Sequence, residues 1–181
     1  MKKTRYHRLA LSLTLLLVIF SFPSFSKQEM NNSTTDITKI KNTLGAFHQA
    51  AANADTQKYF ALLSKEAVFI GTDATERWTK AQFKAFVQPY FSRGQGWLYT
   101  PKQQNISFIN AGNTAFFDEI LHSESYGTCR GTGVLIKEDG HWKIAQYSLS
   151  IPIPNALAKD FVKTIKKSAQ KLDSLNNREN K

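Results

Sequence analysis

Residues 126–154 read YGTCRGTGVLIKEDGHWKIAQYSLSIPIP, and the fold is decided by how this stretch pairs with itself. Asp139-Gly140 is a tight-turn dipeptide, because glycine accepts the positive φ of a two-residue hairpin loop without a side-chain clash. Residues 131–137 before it and 142–151 after it are rich in β-branched and aromatic side chains, which suit strands. Pairing Glu138 with His141 sets Leu135 opposite Ile144, Gly133 opposite Gln146, Gly131 opposite Ser148 and Cys129 opposite Ser150. Side chains alternate across a strand, so these residues share one face. That face is apolar beside the turn, then small and polar. The other face carries Arg130, Thr132, Val134, Ala145, Tyr147 and Leu149. A half-polar inner face is either the wall of a pocket or a surface turned to solvent or to a second subunit.

Working upstream, residues 114–122 form the preceding strand. A turn centred on Ser125 sets Glu119 opposite Gly131 and Phe117 opposite Gly133, large against small. Glu119 then joins Gln146 and Ser148, while Asp118 lies on the other face, diagonal to Arg130, where a cross-strand ion pair is the plain reading. A one-residue slip would exchange the two acids. Further strands are expected at 67–71 and from 97 through 109, with 72–78 as a loop.

Helices account for the rest. From Asp36, the spacing of Ile37, Ile40, Leu44, Phe47 and Ala51 gives one buried stripe. Asp55 caps a short second helix with Tyr59, Phe60, Leu62 and Leu63. Thr79 and Gln82 fit a capping box opening a third helix, which Pro89 kinks or tightens and Gly94-Gln-Gly96 ends. Pro152 and Pro154 stop the last strand. Asn155 caps a final helix over 155–175, with Leu157, Phe161, Ile165, Ala169 and Leu172 on one side. Lys159, Lys163, Lys166, Lys167 and Lys171 lie on the other, a solvated face or a contact for membrane or nucleic acid. A polar tail, 176–181, is expected to be disordered.

The N-terminus reads as a targeting segment. Lys2, Lys3, Arg5 and Arg8 precede an apolar run over 9–22, with Ser24 and Ser26 at the −3 and −1 positions of a cleavage site. Residues 1–26 are expected to be a signal peptide, and 27–35 a flexible leader. The run is shorter than the ~20 residues of a spanning helix, although an uncleaved anchor is the competing reading. No cysteine lies near the site, which excludes a lipoprotein. Removing 26 of 181 residues leaves 155, one domain's worth. Four basic and no acidic residues go with it, so the net charge falls from +10 to +6. The protein is expected to be exported, periplasmic or secreted, without stable membrane insertion after cleavage. Cys129 is the single cysteine, so no internal disulfide supports the fold; it is a buried small hydrophobe or a reactive thiol.

The order helix, helix, strand, helix, then long strands is an α+β plan. Three pieces, FHQAAANAD (47–55), AVFIGTDATERW (67–78) and DGHWKI (139–144) with Ser150, give the chain a resemblance to the SnoaL-like domains of the nuclear transport factor 2-like superfamily, over residues 36–154. The resemblance implies a cone: a curved antiparallel sheet wrapped around three N-terminal helices, plus the C-terminal helix, with a pocket at the open end. The ketosteroid isomerase of that fold uses a helix-1 tyrosine and an aspartate base. Counted from Asp55, those positions fall on Phe47 and Gly71, which can neither donate to an enolate oxygen nor take a proton. Many SnoaL-like sequences have histidines on the last strand, where this chain has Gln146 and Ser148. Asp73, two residues past the missing base, is placed to enter the mouth from its loop.

The candidate chemistry is therefore Glu119 or Asp73 as a base, with Phe47, His48, Trp97, Phe117, Gln146, Ser148 and Ser150 around a ligand; Glu76, Asp118 and Arg130 are further polar groups. Glu119 is expected to be desolvated with a raised pKa, and Gly131 and Gly133 to leave space beside it. The four histidines have no metal-ligand spacing, and neither a metal nor a cofactor is expected. Residues 130–133 (RGTG) lie mid-strand and form no phosphate loop. Three functions fit: binding of a small, partly apolar ligand; a lyase, cyclase or isomerase with a pocket carboxylate as base; or a partner-binding module. The last would be a homodimer through an outer sheet face of Tyr147, Leu149 and Thr132. No nucleic-acid partner is expected.

Overall fold

The computed structural model describes residues 27–109 and 112–179, with side chains described between 34 and 171. The expected signal peptide, the side chain of Leu172 of the expected helix stripe, and the last two residues of the tail lie outside what is described. Ten elements follow one another: α1 (Lys27–Ala52), α2 (Thr56–Ala61), β1 (Leu63–Ile70), β2 (Arg77–Thr79), α3 (Lys80–Phe91), β3 (Thr100–Ile109), β4 (Thr114–Ser123), β5 (Gly127–Glu138), β6 (His141–Ser150) and α4 (Asn155–Glu179). The strands form one sheet in the order β2-β1-β6-β5-β4-β3. The α+β plan stands, with one correction: the sheet is mixed, because β1 runs parallel to β6 while every other pair is antiparallel. Parallel pairing needs a crossover, and the long path from β1 to β6 supplies it.

The hairpin forms as its turn dictates. Asp139 and Gly140 take φ of 50° and 76°, the two positive values that match the twist of the flanking strands. Glu138 faces His141 and Leu135 faces Ile144. Beyond that point β6 carries a bulge. Val134 pairs with Gln146, Gly133 with Tyr147, Thr132 with Ser148 and Gly131 with Leu149, so Ala145 is the extra residue. The preceding turn has the expected register, with Glu119 on Gly131 and Phe117 on Gly133.

α1, α2 and α3 cover the face bearing Ala115, Phe117, Glu119, Leu135, Ile144 and Tyr147, all buried. Ile40, Leu44, Phe47 and Ala51 of α1 form its stripe in that core, with Phe83, Val87 and Phe91 of α3. α1 begins at Lys27, so the flexible leader expected over 27–35 is helix. Its first part is clasped to the hairpin: Lys137 Nζ donates to Asp36 Oδ2 at 2.7 Å and Trp142 Nε1 to Asp36 Oδ1 at 3.2 Å. Burial pushes the Asp36 carboxyl up, but those two donors and the lysine charge hold it below its usual range. Asp55 caps α2 through Lys58 N, and the Thr79–Gln82 capping box opens α3. Leu63 belongs to β1 rather than α2, and Arg77 and Trp78, expected as loop, form β2 with Thr79 against β1. α4 continues to Glu179, past the expected end at 175 and into the supposed disordered tail.

Candidate functional site

The inner face of β4 is polar only at Glu119, which is 0% exposed, and at Ser123, the strand's last residue. Three elements bring donors to its carboxylate. His48 of α1 donates from Nε2 to Oε1 at 2.8 Å, and the Tyr147 hydroxyl of β6 donates to the same oxygen at 2.8 Å. Gln104 of β3 donates from Nε2 to Oε2 at 2.8 Å. Because an ionised carboxylate only accepts, the hydrogen on His48 Nε2 is fixed by this contact. Burial pushes the Glu119 pKa up; the hydrogen bond and charge of His48, then the bonds from Gln104 and Tyr147, outweigh it and leave the group lowered. Burial and the neighbouring carboxylate push the Tyr147 phenol well above its ordinary value.

Aromatic rings wall the cluster. Phe47 lies 5.1 Å from the Tyr147 ring, Phe117 at 5.9 Å and Phe69, stacked, at 5.5 Å. Phe47 also stacks on Tyr59 at 4.4 Å. The wall is closed on one side and thin on the other, since His48 and Glu119 are buried while Gln104, on an edge strand, is half-buried. Chemically this is an anion held by three neutral or basic donors in apolar surroundings, with one oxygen reached only through an amide.

A family model for SnoaL-like domains matches residues 40–154. The chain belongs to the SnoaL-like domain family. A search of curated proteins finds no match. Solved structures share the fold at low identity. An NTF2-like protein of unknown function from Pseudomonas putida is 17% identical, with 67% of this chain and 90% of that one covered and a TM-score of 0.57. An NTF2-like protein from Streptomyces avermitilis, described as a candidate dehydratase, is 12% identical, covers 67% and 99%, and has a TM-score of 0.58. A protein from Novosphingobium aromaticivorans, described as a candidate scytalone dehydratase, is 11% identical, covers 68% and 89%, and has a TM-score of 0.58.

In this SnoaL-like domain, four of the expected site residues meet: Phe47, His48, Phe117 and Glu119. Trp97 stands one layer away, against Phe91 at 4.7 Å and Tyr59 at 6.1 Å. Gln146 and Ser148 do not reach the site, because the bulge at Ala145 turns both to the outer face; Ser150 is exposed, its hydroxyl donating to Arg130 O at 3.4 Å. Asp73 is also corrected. It is an exposed turn residue whose Oδ1 accepts from Thr75 N and Oγ1, and those hydrogen bonds lower its pKa. The raised pKa expected for Glu119 is reversed. The space expected beside Gly131 and Gly133 is filled: a side chain at 131 would strike the Tyr147 hydroxyl and Glu119 Oε1, and one at 133 would strike Phe117 and the Gln146 carbonyl. The glycines admit large neighbours rather than a ligand. Asp118 accepts from Asn105 Nδ2 at 2.8 Å in place of the expected Arg130 pair.

Two site residues escaped the sequence reading, Tyr147 and Gln104. A signal for Tyr147 exists: the apolar positions of β6 run Trp142 and Ile144, then Tyr147 and Leu149, so their parity changes within one strand. Only a bulge puts both sets on one face. The expected outer face fails for the same reason, since Tyr147 and Leu149 pack on the core and only Thr132 faces out. Gly71 has a different role from a lost base. A side chain there would meet the Glu76 carboxylate, which folds over it and accepts from Asp73 N at 3.1 Å. Among the described residues no group of three His, Cys, Asp or Glu side chains is placed to hold a metal ion.

Proposed function

We propose that this SnoaL-like protein is exported and binds a small, partly apolar ligand at the Glu119 cluster. What supports the reading is the carboxylate itself. An anion this deep costs several kcal/mol to desolvate, and a stable core does not need one. Three donors from α1, β3 and β6 converge on it. Gln104, half-buried on the sheet edge, is the partner a ligand displaces: a ligand hydroxyl or amide takes its place on Glu119 Oε2, and the aromatic wall takes the apolar part. Native mass spectrometry of protein purified from its own host tests this. The expected result is a chain beginning near Lys27 with a retained small mass, lost in Glu119→Ala. A ligand-free wild type, or equal retention in the variant, rejects the site; a mass that keeps residues 1–26 rejects export with cleavage.

A lyase, cyclase or isomerase is the second reading, favoured by the 2.8 Å contact of His48 with Glu119. Glu119, held below its usual range, is a weak base, so the proton carrier in this reading is His48, positioned by Glu119. Incubating the retained molecule with the protein in D2O separates the two. Deuterium uptake or a changed product marks an enzyme, and an unchanged molecule marks a binder. A homodimer through the outer sheet face is supported by Phe116, which is 46% exposed there beside half-buried Val134. Sedimentation equilibrium is expected to give twice the chain mass, and Phe116→Lys to halve it.

A further inference from the structure

α4 carries an apolar face that the rest of the fold leaves uncovered. Leu157, Phe161, Val162 and Ile165 are 58%, 49%, 48% and 55% exposed. At 100° per residue these four lie within an arc of about 140°, and Lys159, Lys163, Lys166 and Lys167 occupy the opposite side. In the proline-bounded linker just before the helix, Ile151 and Ile153 are also 40% and 39% exposed. A contiguous apolar surface of this kind marks a docking site.

The charge identifies the partner. Residues 155–171 hold five lysines against one acid, Asp160, which pairs with Lys163 at 3.0 Å. Two such helices repel one another, which disfavours a second copy as the cover. An anionic bilayer surface attracts both parts: the stripe enters the acyl boundary, and the lysines stand within about 10 Å of the headgroups, near one Debye length. No helix among the described residues is long and apolar enough to cross a membrane. We propose that α4 is an interfacial helix that docks the protein reversibly, lying flat, on anionic lipid bilayers. The proposal does not depend on the Glu119 reading.

The native tryptophans, Trp78, Trp97 and Trp142, all lie outside α4. Phe161→Trp in the full chain therefore places a local reporter on the stripe, insensitive to how residues 1–26 behave. With vesicles containing a quarter phosphatidylglycerol in phosphatidylcholine, the introduced indole is expected to shift to the blue and to be quenched by brominated acyl chains. Changing Lys159, Lys163, Lys166 and Lys167 to Gln is expected to weaken partitioning at least about tenfold. Ile165→Asp in the same background is expected to abolish the shift, while circular dichroism of the core stays unchanged. No shift, or equal partitioning onto pure phosphatidylcholine, overturns the proposal. So does a shift that appears without vesicles, rises with protein concentration and accompanies a doubled mass, which assigns the stripe to a second copy.

Discussion

Burial alone would make the Glu119 carboxyl hold its proton above the ordinary 4.5, and its partners reverse that. The sign of the consequence follows. A carboxyl with a folded pKa below its unfolded one contributes stability that is complete above the unfolded value and is lost as pH falls through the folded one. Urea melts from pH 6 to pH 3 are expected to show wild type losing stability in acid more steeply than Glu119→Gln. Asp36 and Asp73 are lowered too and contribute the same slope to both proteins, so the difference reports the Glu119 cluster. At pH 7, Glu119→Ala is expected to cost about 3–5 kcal/mol, because it strands the His48, Tyr147 and Gln104 donors. Glu119→Gln costs less. Its oxygen still accepts from His48, but its amide faces the Gln104 amide, and one of the two must turn over. Equal acid slopes in wild type and Glu119→Gln would mean that Glu119 is not ionised in the fold.

The hairpin shows how far an element can be read from its residues. Asp139-Gly140 fixes the turn, the turn fixes Leu135 opposite Ile144, and the Ser125 turn carries Glu119 to Gly131. The pairing between β4 and β5 holds throughout, including the inward carboxylate and its neighbour Phe117, and the β5–β6 pairing holds from the turn to Ile144. What fails lies past Ala145. A bulge needs no glycine or proline, so local turn chemistry gives no warning, and one unpaired residue sends Gln146 and Ser148 to the wrong side. Gln104 escaped for another reason: an edge strand with polar residues on both faces has no alternation to read, and residues 101–105 are of that kind. On the turn-side segment, Ile144 is fully buried against the helices, and Ile144→Ala is expected to cost about 2–5 kcal/mol by urea denaturation. A loss below about 1 kcal/mol would mean that the faces of β6 are reversed.

At the scale of the molecule, helices cover one sheet face, Phe116 marks the other, and α4 stands apart with its own apolar stripe. Such an arrangement was legible as a class from the order of elements, whereas the neighbour of β1 was not, since nothing in a short apolar strand names its partner across the chain. That neighbour is the final strand, and it imposes a timetable. β1 leaves the ribosome early, yet apart from the three-residue β2 it finds its main-chain partner only in β6; Asp36 waits for residues 101 and 106 positions downstream. β3 to β6, by contrast, are successive hairpins, whose short loops close at little entropic cost. Folding is therefore expected to run backward along the sequence. In pulsed hydrogen exchange during refolding, amides of residues 114–150 should gain protection before those of 63–70, and earlier protection of β1 would refute the order. A nascent chain stopped short of Trp142 would carry its N-terminal half finished in composition but unable to close.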